Sequence, residues 1–199
     1  MEQRHYSLFT VKYWKEAAST AMQLRVVVVA SLFIAVRIAI ATLYIPIGTE
    51  LRVTFGFFVN AFGAHIYGPV LAPVSGFITD IVSYFLRPMG AFFPGYTLTA
   101  MAGSFVYAIF LFRRRITVLR LAATKLFVNL FVNVGMNSLW SAILYSRGFY
   151  YYFTTRLIKN IVLLPIEVFV LVVFFRAMTP VAKRLGLLPE QAATAIPFW

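Results

Sequence analysis

From residue 25 to residue 178 one apolar run follows another, separated by short polar or turn-forming breaks. A helix that crosses a bilayer needs roughly 20 mostly apolar residues, and this chain holds several such runs. Backbone polar groups in hydrocarbon must be satisfied internally, so the runs have to close as helices. Composition agrees: 61% of residues are hydrophobic and only 12% are charged, where a soluble domain carries about 25% charge. The mean hydropathy is +0.84. An integral membrane protein follows, and a soluble one is excluded.

Breakers divide the runs into six spans: about 25–45, 53–68, 69–86, 94–112, 119–145 and 156–178. The block 53–86 is too long for one crossing, and "YGP" at Tyr67 to Pro69 splits it because Gly and Pro together favour a turn. "RRR" at Arg113 to Arg115 stops the fourth span. Residues 1–24 form an N-terminal tail with no cleavable signal peptide expected. Tyr13, Trp14 and nearby lysines suit an amphipathic surface helix there. Residues 179–199 form the C-terminal tail. With six spans, twelve of the eighteen Lys and Arg residues fall on one face, Arg113, Arg120, Lys125 and Arg184 among them. The positive-inside rule then makes both termini cytoplasmic. The net charge of +12 is largely topological and is not a nucleic-acid footprint.

Five cations fall on the opposite face: Arg52, Arg87, Arg147, Arg156 and Lys159, with Glu50 the obvious acid there and Arg37 inside the first span. An electropositive mouth concentrates anionic solutes. Headgroup anchoring by snorkelling is the other reading for Arg87 and Arg147. Arg156 and Lys159, placed at the opening of a helix, fit ligand or ion-pair duty better. In the fifth span Lys125, Asn129, Asn133, Asn137 and Ser141 recur every fourth residue, on one slowly drifting face. Amides are costly against lipid, so this face looks into the bundle. Asn129 and Asn133 read as interhelical hydrogen bonding. Asn137 beside Trp140 suits a heteroaromatic ring. Asp80 and Glu167 are the acids within spans, read as structural partners of Arg37 or of Arg156 and Lys159. Ser31, Ala35 and Ala39 form a small-residue stripe on which another helix can pack.

No phosphate-binding loop, nucleotide motif or His/Ser/Cys constellation is present, and the absence of cysteine excludes thiolate chemistry. His5 and His65 do not make a metal site, and His65 reads as a packed or interfacial histidine. No cofactor is expected.

The ordered series "SLFIA", "IPIG..LRVTFGF", "YGPVLAPVSGFITD", "RPMGAFFPGYTLTAMAGSFVYAIFLF", "MNSLWSAILY" and "RLIKNIVLLPIEV" resembles the folate-specific substrate-binding (S) components of energy-coupling-factor (ECF) vitamin transporters, over roughly residues 26 to 175. The resemblance implies an all-α bundle of six transmembrane helices with cytoplasmic termini. It implies a ligand cavity at the extracellular end, under the loops joining spans 1–2, 3–4 and 5–6. The implied function is tight folate binding and delivery, with ATP hydrolysed by two partner ATPases and coupled through a transmembrane protein. By the same resemblance Ser31 and Ala35, with Ala39 extending the stripe, contact that coupling protein, Ser standing where Ala is usual. "GAFFPGYTLTA" becomes the gate: Phe92, Phe93 and Tyr96 offer faces to a pteridine, Thr97 bonds its heteroatoms or caps the helix, and Arg52 with Arg37 meets the carboxylates. Another heteroaromatic vitamin or pterin fits the same residues. A small membrane-embedded enzyme would need an acid cluster or nucleophile that is missing, and an assembly protein leaves the gate and basic rim unexplained.

Overall fold

The computed structural model describes residues 10–47, 51–88, 92–145, 148–188 and 196–198, with the side chains at 45–47 and 51–53 outside the description. In order the elements are α1 (Val11–Ala21), α2 (Leu24–Ala41), strands β1 (Tyr44–Ile47) and β2 (Leu51–Thr54), α3 (Phe57–Leu86), α4 (Pro94–Leu111), α5 (Val118–Phe127), a π-helical stretch (Val128–Met136), α6 (Asn137–Leu144) and α7 (Phe149–Arg184). The stretch from α5 through α6 is one continuous span.

The helix of the first span stops at Ala41, short of Ile45. The chain then forms an antiparallel ribbon, with Tyr44 opposite Thr54 and Ile47 opposite Leu51. β-branched and aromatic residues dominate both strands, which favours pleated backbone over helix. Pro46 is tolerated because a two-stranded ribbon has only edges.

The apolar block reads as one helix by hydrogen bonding, yet Gly68 inside it is non-helical, with φ 77° and ψ −177°. Its neighbours show that the chain reverses there. Ser104 donates to Asn60 at 3.0 Å and His65 Nδ1 meets the Leu111 carbonyl at 2.7 Å, so residues 57–67 run parallel to α4. Thr97 donates to Asp80 at 2.7 Å, and Gly76 lies against Ala100 and Ser104, so residues 69–86 run antiparallel to α4. The bundle therefore has six legs. Gly68 is needed twice: its positive φ disfavours any side chain, and a Cβ there would come within 2.8 Å of the Phe112 ring. Pro69 then starts the second leg, where its missing N–H costs nothing. The first leg is about 16 Å long, roughly half the hydrocarbon thickness, and ends near mid-bundle.

Below that level the interior is solid. Phe62 packs edge-on against Phe174 and Phe175, with centroids at 5.7 and 5.0 Å, and Tyr67, Leu111, Leu121 and Leu171 are fully buried around it. Leu32, Phe85, Phe131, Val162 and Phe169 point outward. Such a surface would aggregate in water; in lipid it is solvated. Helix contacts in lipid gain little from expelling water and depend on close packing, which Gly76 against the α4 backbone provides.

One end of the bundle gathers both tails. Tyr13 of α1 packs edge-on against Phe112 at 6.0 Å, and burial pushes its hydroxyl pKa up. Arg113 reaches Thr20 at 3.5 Å and Glu16 at 3.9 Å. Arg25 donates to the Leu185 carbonyl at the end of α7. The carbonyls of Pro197 and Phe198 accept from Val118 and Leu119 at 2.9 and 3.0 Å, satisfying two amides that a helix N-terminus otherwise leaves orphaned.

Candidate ligand cavity

Because the first leg of α3 is short, space remains between it and the end of the bundle away from the tails. A cavity of about 550 Å³ lies there, within the 300–1,000 Å³ usual for small-molecule sites. Arg37 and Ala41 come from α2; Thr54, Gly56, Phe57 and Asn60 from the ribbon and first leg; Thr79, Asp80 and Ser83 from the second leg. Tyr96, Thr99, Ala100, Gly103 and Tyr107 line it from α4. The fifth span contributes Lys125, Val128, Val132, Asn133 and Asn137, and α7 contributes Arg156, Lys159, Asn160, Leu163 and Glu167.

The π-helical stretch explains why one span lines so much of the wall. In a regular α-helix each four-residue step turns about 40° past a full circle, so the stripe from Lys125 to Ser141 would drift by roughly 160°. A π-helix closes its bonds over five residues and turns less per residue, which counters that drift. Lys125, Asn129 and Ser141 are all buried, and Asn133 and Asn137 face the cavity. Such insertions occur frequently at functional sites, and four-residue spacing in the sequence shows the stripe but not its correction.

Deep in the cavity, Glu167 is held on both oxygens, by Lys125 Nζ at 3.0 Å and by Asn129 Nδ2 at 2.7 Å. Asn133 donates to Asn129 Oδ1 at 3.0 Å, and the Lys125 ammonium sits 4.2 Å from the Phe57 ring centroid. Lys125, counted with the basic face near the tails and also placed on the stripe that looks into the bundle, lines the cavity. One expectation is corrected: it is Lys125 that forms the close ion pair with Glu167, a partner the sequence did not suggest. A lysine at the head of an amide stripe is the available signal; the neighbouring arginines disguise it as part of a basic loop.

Nearer the opening, Arg156 donates to Ser141 Oγ at 2.8 Å, and the Tyr96 hydroxyl meets the same oxygen at 3.2 Å. Arg156 lies about 10 Å inside α7, because the helix starts at Phe149 and not at Arg156. Trp140 stands behind the wall, donating to Thr99 at 3.0 Å, with Phe93 packed against it at 5.7 Å. Gly95 permits this approach, since a Cβ there would come within 2.7 Å of the indole.

Of the residues singled out in the sequence, Arg37, Tyr96, Asn137, Arg156 and Lys159 line the cavity. Phe93, Thr97 and Trp140 touch lining residues from behind. Phe92 is 45% exposed and packs on Tyr84, away from the lining. The Arg52 side chain, Glu50, Arg147 and His5 lie outside the described residues. His65 is buried against the Leu111 carbonyl. Asp80 lines the cavity and accepts from Thr97. Ser31, Ala35 and Ala39 are exposed along one face of α2. Asn60 and Tyr107 carry no sequence signal, each a single polar group inside an apolar run with no repeat to mark it, and Thr79 is overshadowed by its neighbour Asp80.

Four cations (Arg37, Lys125, Arg156, Lys159) against two acids (Asp80, Glu167) leave the cavity wall at a formal +2. Among the described residues no group of three His, Cys, Asp or Glu side chains stands ready for a metal. The site can hold an anionic, partly aromatic solute.

Residues 25–175 match the family model described as "ECF transporter, substrate-specific component". The folate transporter FolT of Clostridium novyi (strain NT) is 33% identical over 131 residues, 65% of this chain and 76% of that one. The folate transporter FolT of Leuconostoc mesenteroides subsp. mesenteroides is 31% identical over 131 residues, 62% of this chain and 71% of that one. A crystal structure of FolT bound with folic acid matches with a TM-score of 0.67 at 25% identity, covering 74% of this chain and 89% of that one.

Proposed function

Because this chain belongs to the substrate-specific components of ECF transporters, we propose that its cavity binds folate on the outer side of a prokaryotic plasma membrane and that the protein delivers it inward. The observation that carries the reading is the cavity itself: about 550 Å³, lined by aromatic and amide groups and with a net +2 wall. Folate supplies the complement, a flat hydrogen-bonding ring at one end and two carboxylates at the other. The likeness to folate transporters and to a folate-bound structure supports this cargo over other heteroaromatic vitamins.

Charge supports the orientation. Lys12, Lys15, Arg25, the Arg113–Arg115 cluster, Arg120, Lys183 and Arg184 lie in or beside the elements gathered at the tail end, and a basic end faces the cytoplasm. The cavity then opens outward. The family points to a transmembrane coupling protein and two ATPases as partners, with the exposed Ser31, Ala35 and Ala39 stripe as the helix-packing surface for the coupling protein. The chain itself is a transport subunit and not an enzyme.

Uptake of labelled folate into cells or proteoliposomes tests the reading. Accumulation should require this chain, the coupling protein and ATP-competent ATPases together, and excess unlabelled folate should abolish it while riboflavin should not. Accumulation of riboflavin in place of folate would refute the cargo.

A further inference from the structure

Helix α1 lies outside the residues 25–175 that match the family model, so kinship assigns it no role. At about 100° per residue its side chains fall into three stripes. Tyr13, Ala17 and Thr20 are buried against the bundle. Val11, Trp14 and Met22 (which continues the helical backbone) are 68%, 39% and 86% exposed, and with Ala18 they make an apolar stripe. Lys12, Lys15, Glu16 and Ser19 make a polar one. A helix lying on a membrane by itself needs only an apolar and a polar face. Here a third face docks on the bundle and leaves the other two uncovered.

Two contacts fix which uncovered face looks toward the bilayer. Trp14 stacks on Phe105 of α4, with centroids 6.3 Å and planes 26° apart. Phe105 stands two turns before Phe112, about 10 Å nearer mid-bundle, so the apolar stripe looks toward hydrocarbon. Glu16 on the polar stripe pairs instead with Arg113, 3.9 Å away and just past the end of α4, so that stripe looks toward water. Arg113 also reaches Thr20 and lies 5.5 Å from the Phe112 ring centroid. It does so from a left-handed backbone, φ 52°, a conformation uncommon outside glycine. The residue that ends α4 thus clasps α1.

Charge selects the lipid. Among the described residues Glu16 is the single acid at this end, set beside Lys12, Lys15 and the Arg113–Arg115 cluster, which leaves a formal +4 around α1. We propose that α1 is an interfacial anchor selective for anionic phospholipid, with Val11, Trp14, Ala18 and Met22 set among acyl chains and Lys12 and Lys15 holding headgroup phosphates. Both lysines stand beside the apolar stripe, so their stems run along it while the ammonium groups reach the headgroups. Such a helix binds in proportion to its buried apolar area and its attraction to anionic lipid. The spans already hold α1 at the interface, so the lysines are left to choose the lipid. The leaflet is the cytoplasmic one in the orientation proposed above, and the inference is independent of the cargo. Its consequence is positional: α1 packs on Phe112, and Phe112 lies against the Gly68 reversal, so headgroups held by α1 set the depth of the bundle at that turn.

The test uses the full chain in nanodiscs of phosphatidylglycerol and phosphatidylcholine in equal amounts. Bromines on the acyl chains of one lipid or the other quench nearby indole fluorescence. Subtracting the emission of Trp14→Phe isolates Trp14 from Trp140 and Trp199. Brominated phosphatidylglycerol should quench Trp14 more than brominated phosphatidylcholine does, by an amount equal to at least about threefold local enrichment, and raising the salt to about 0.5 M should shrink the difference. The double variant Lys12→Gln with Lys15→Gln should unfold thermally like the parent, keep the quenching and lose most of the preference. No quenching of Trp14 by either lipid would overturn the interfacial placement. Equal quenching by both lipids, or a preference left intact in the double variant, would overturn the lipid assignment.

Discussion

Replacing Lys125 by Met separates what the buried ion pair does for the fold from what it does for the ligand. Lys125 Nζ and Glu167 Oε1 are 3.0 Å apart, with side-chain exposures of 2% and 13%. Their mutual attraction at that distance is about 5 kcal/mol for an effective dielectric near 20. Desolvating the two ions costs several kcal/mol each, so the pair is close to break-even and is no net source of stability. Removing one partner is different: Glu167 keeps its charge and its bond from Asn129 but loses its close cation, a loss of about 3–5 kcal/mol. For a chain of this size that corresponds to a fall in unfolding midpoint of about 6–20 °C. The double variant Lys125→Met with Glu167→Leu removes both charges and should recover most of it, short by about 1 kcal/mol for the Asn129 amide left without its acceptor. Thermal unfolding in nanodiscs, followed by intrinsic fluorescence, reads both numbers. Folate affinity should not recover with stability, because the double variant replaces two charged groups of the cavity lining by apolar ones. A Lys125→Met midpoint equal to the parent's, or a double variant no better than the single one, would refute the account of this pair.

Other substitutions probe separate parts of the molecule. Gly68→Ala places a side chain at positive φ against the Phe112 ring; a loss of about 1–3 kcal/mol is expected, measured as a lower unfolding midpoint, with folate affinity per folded molecule unchanged. Arg156→Met removes a cation near the opening and its bond to Ser141, so affinity for both folate and p-aminobenzoylglutamate should fall at least about tenfold and the dependence of binding on salt should flatten. Ala35→Leu fills the exposed stripe on α2; binding by the isolated chain should persist while co-purification with the coupling protein and uptake are lost.

Much of the bundle is legible in the sequence because a bilayer leaves few choices. Apolar length, the "YGP" break and the "RRR" stop each act locally, and the reversal does fall at Gly68. What sequence periodicity misses depends on non-local geometry. The ribbon after Ala41 uses apolar β-branched residues that look the same as the end of a span. The aromatic run "GFYYYFTT" reads as a loop, yet its residues open α7, where interfacial aromatics are at home in a helix. Lys125 reads both as a topology marker and as the head of the amide stripe, because counting charges along a chain does not reveal which way a helix face turns, and the π-helical correction of that face has no motif. At the candidate site, Tyr96, Asn137 and Arg156 stand out by type and spacing, whereas Tyr107, which also lines the cavity, does not, since it stands as one polar group in an apolar run.

The central claim, that this bundle is a receptor for folate, is tested most directly by isothermal titration of the purified full chain with folate and with riboflavin. The account predicts one folate per chain with a dissociation constant in the nanomolar range, near −12 kcal/mol, and no heat with riboflavin beyond dilution. Absence of folate binding, or riboflavin binding of equal strength, would contradict it.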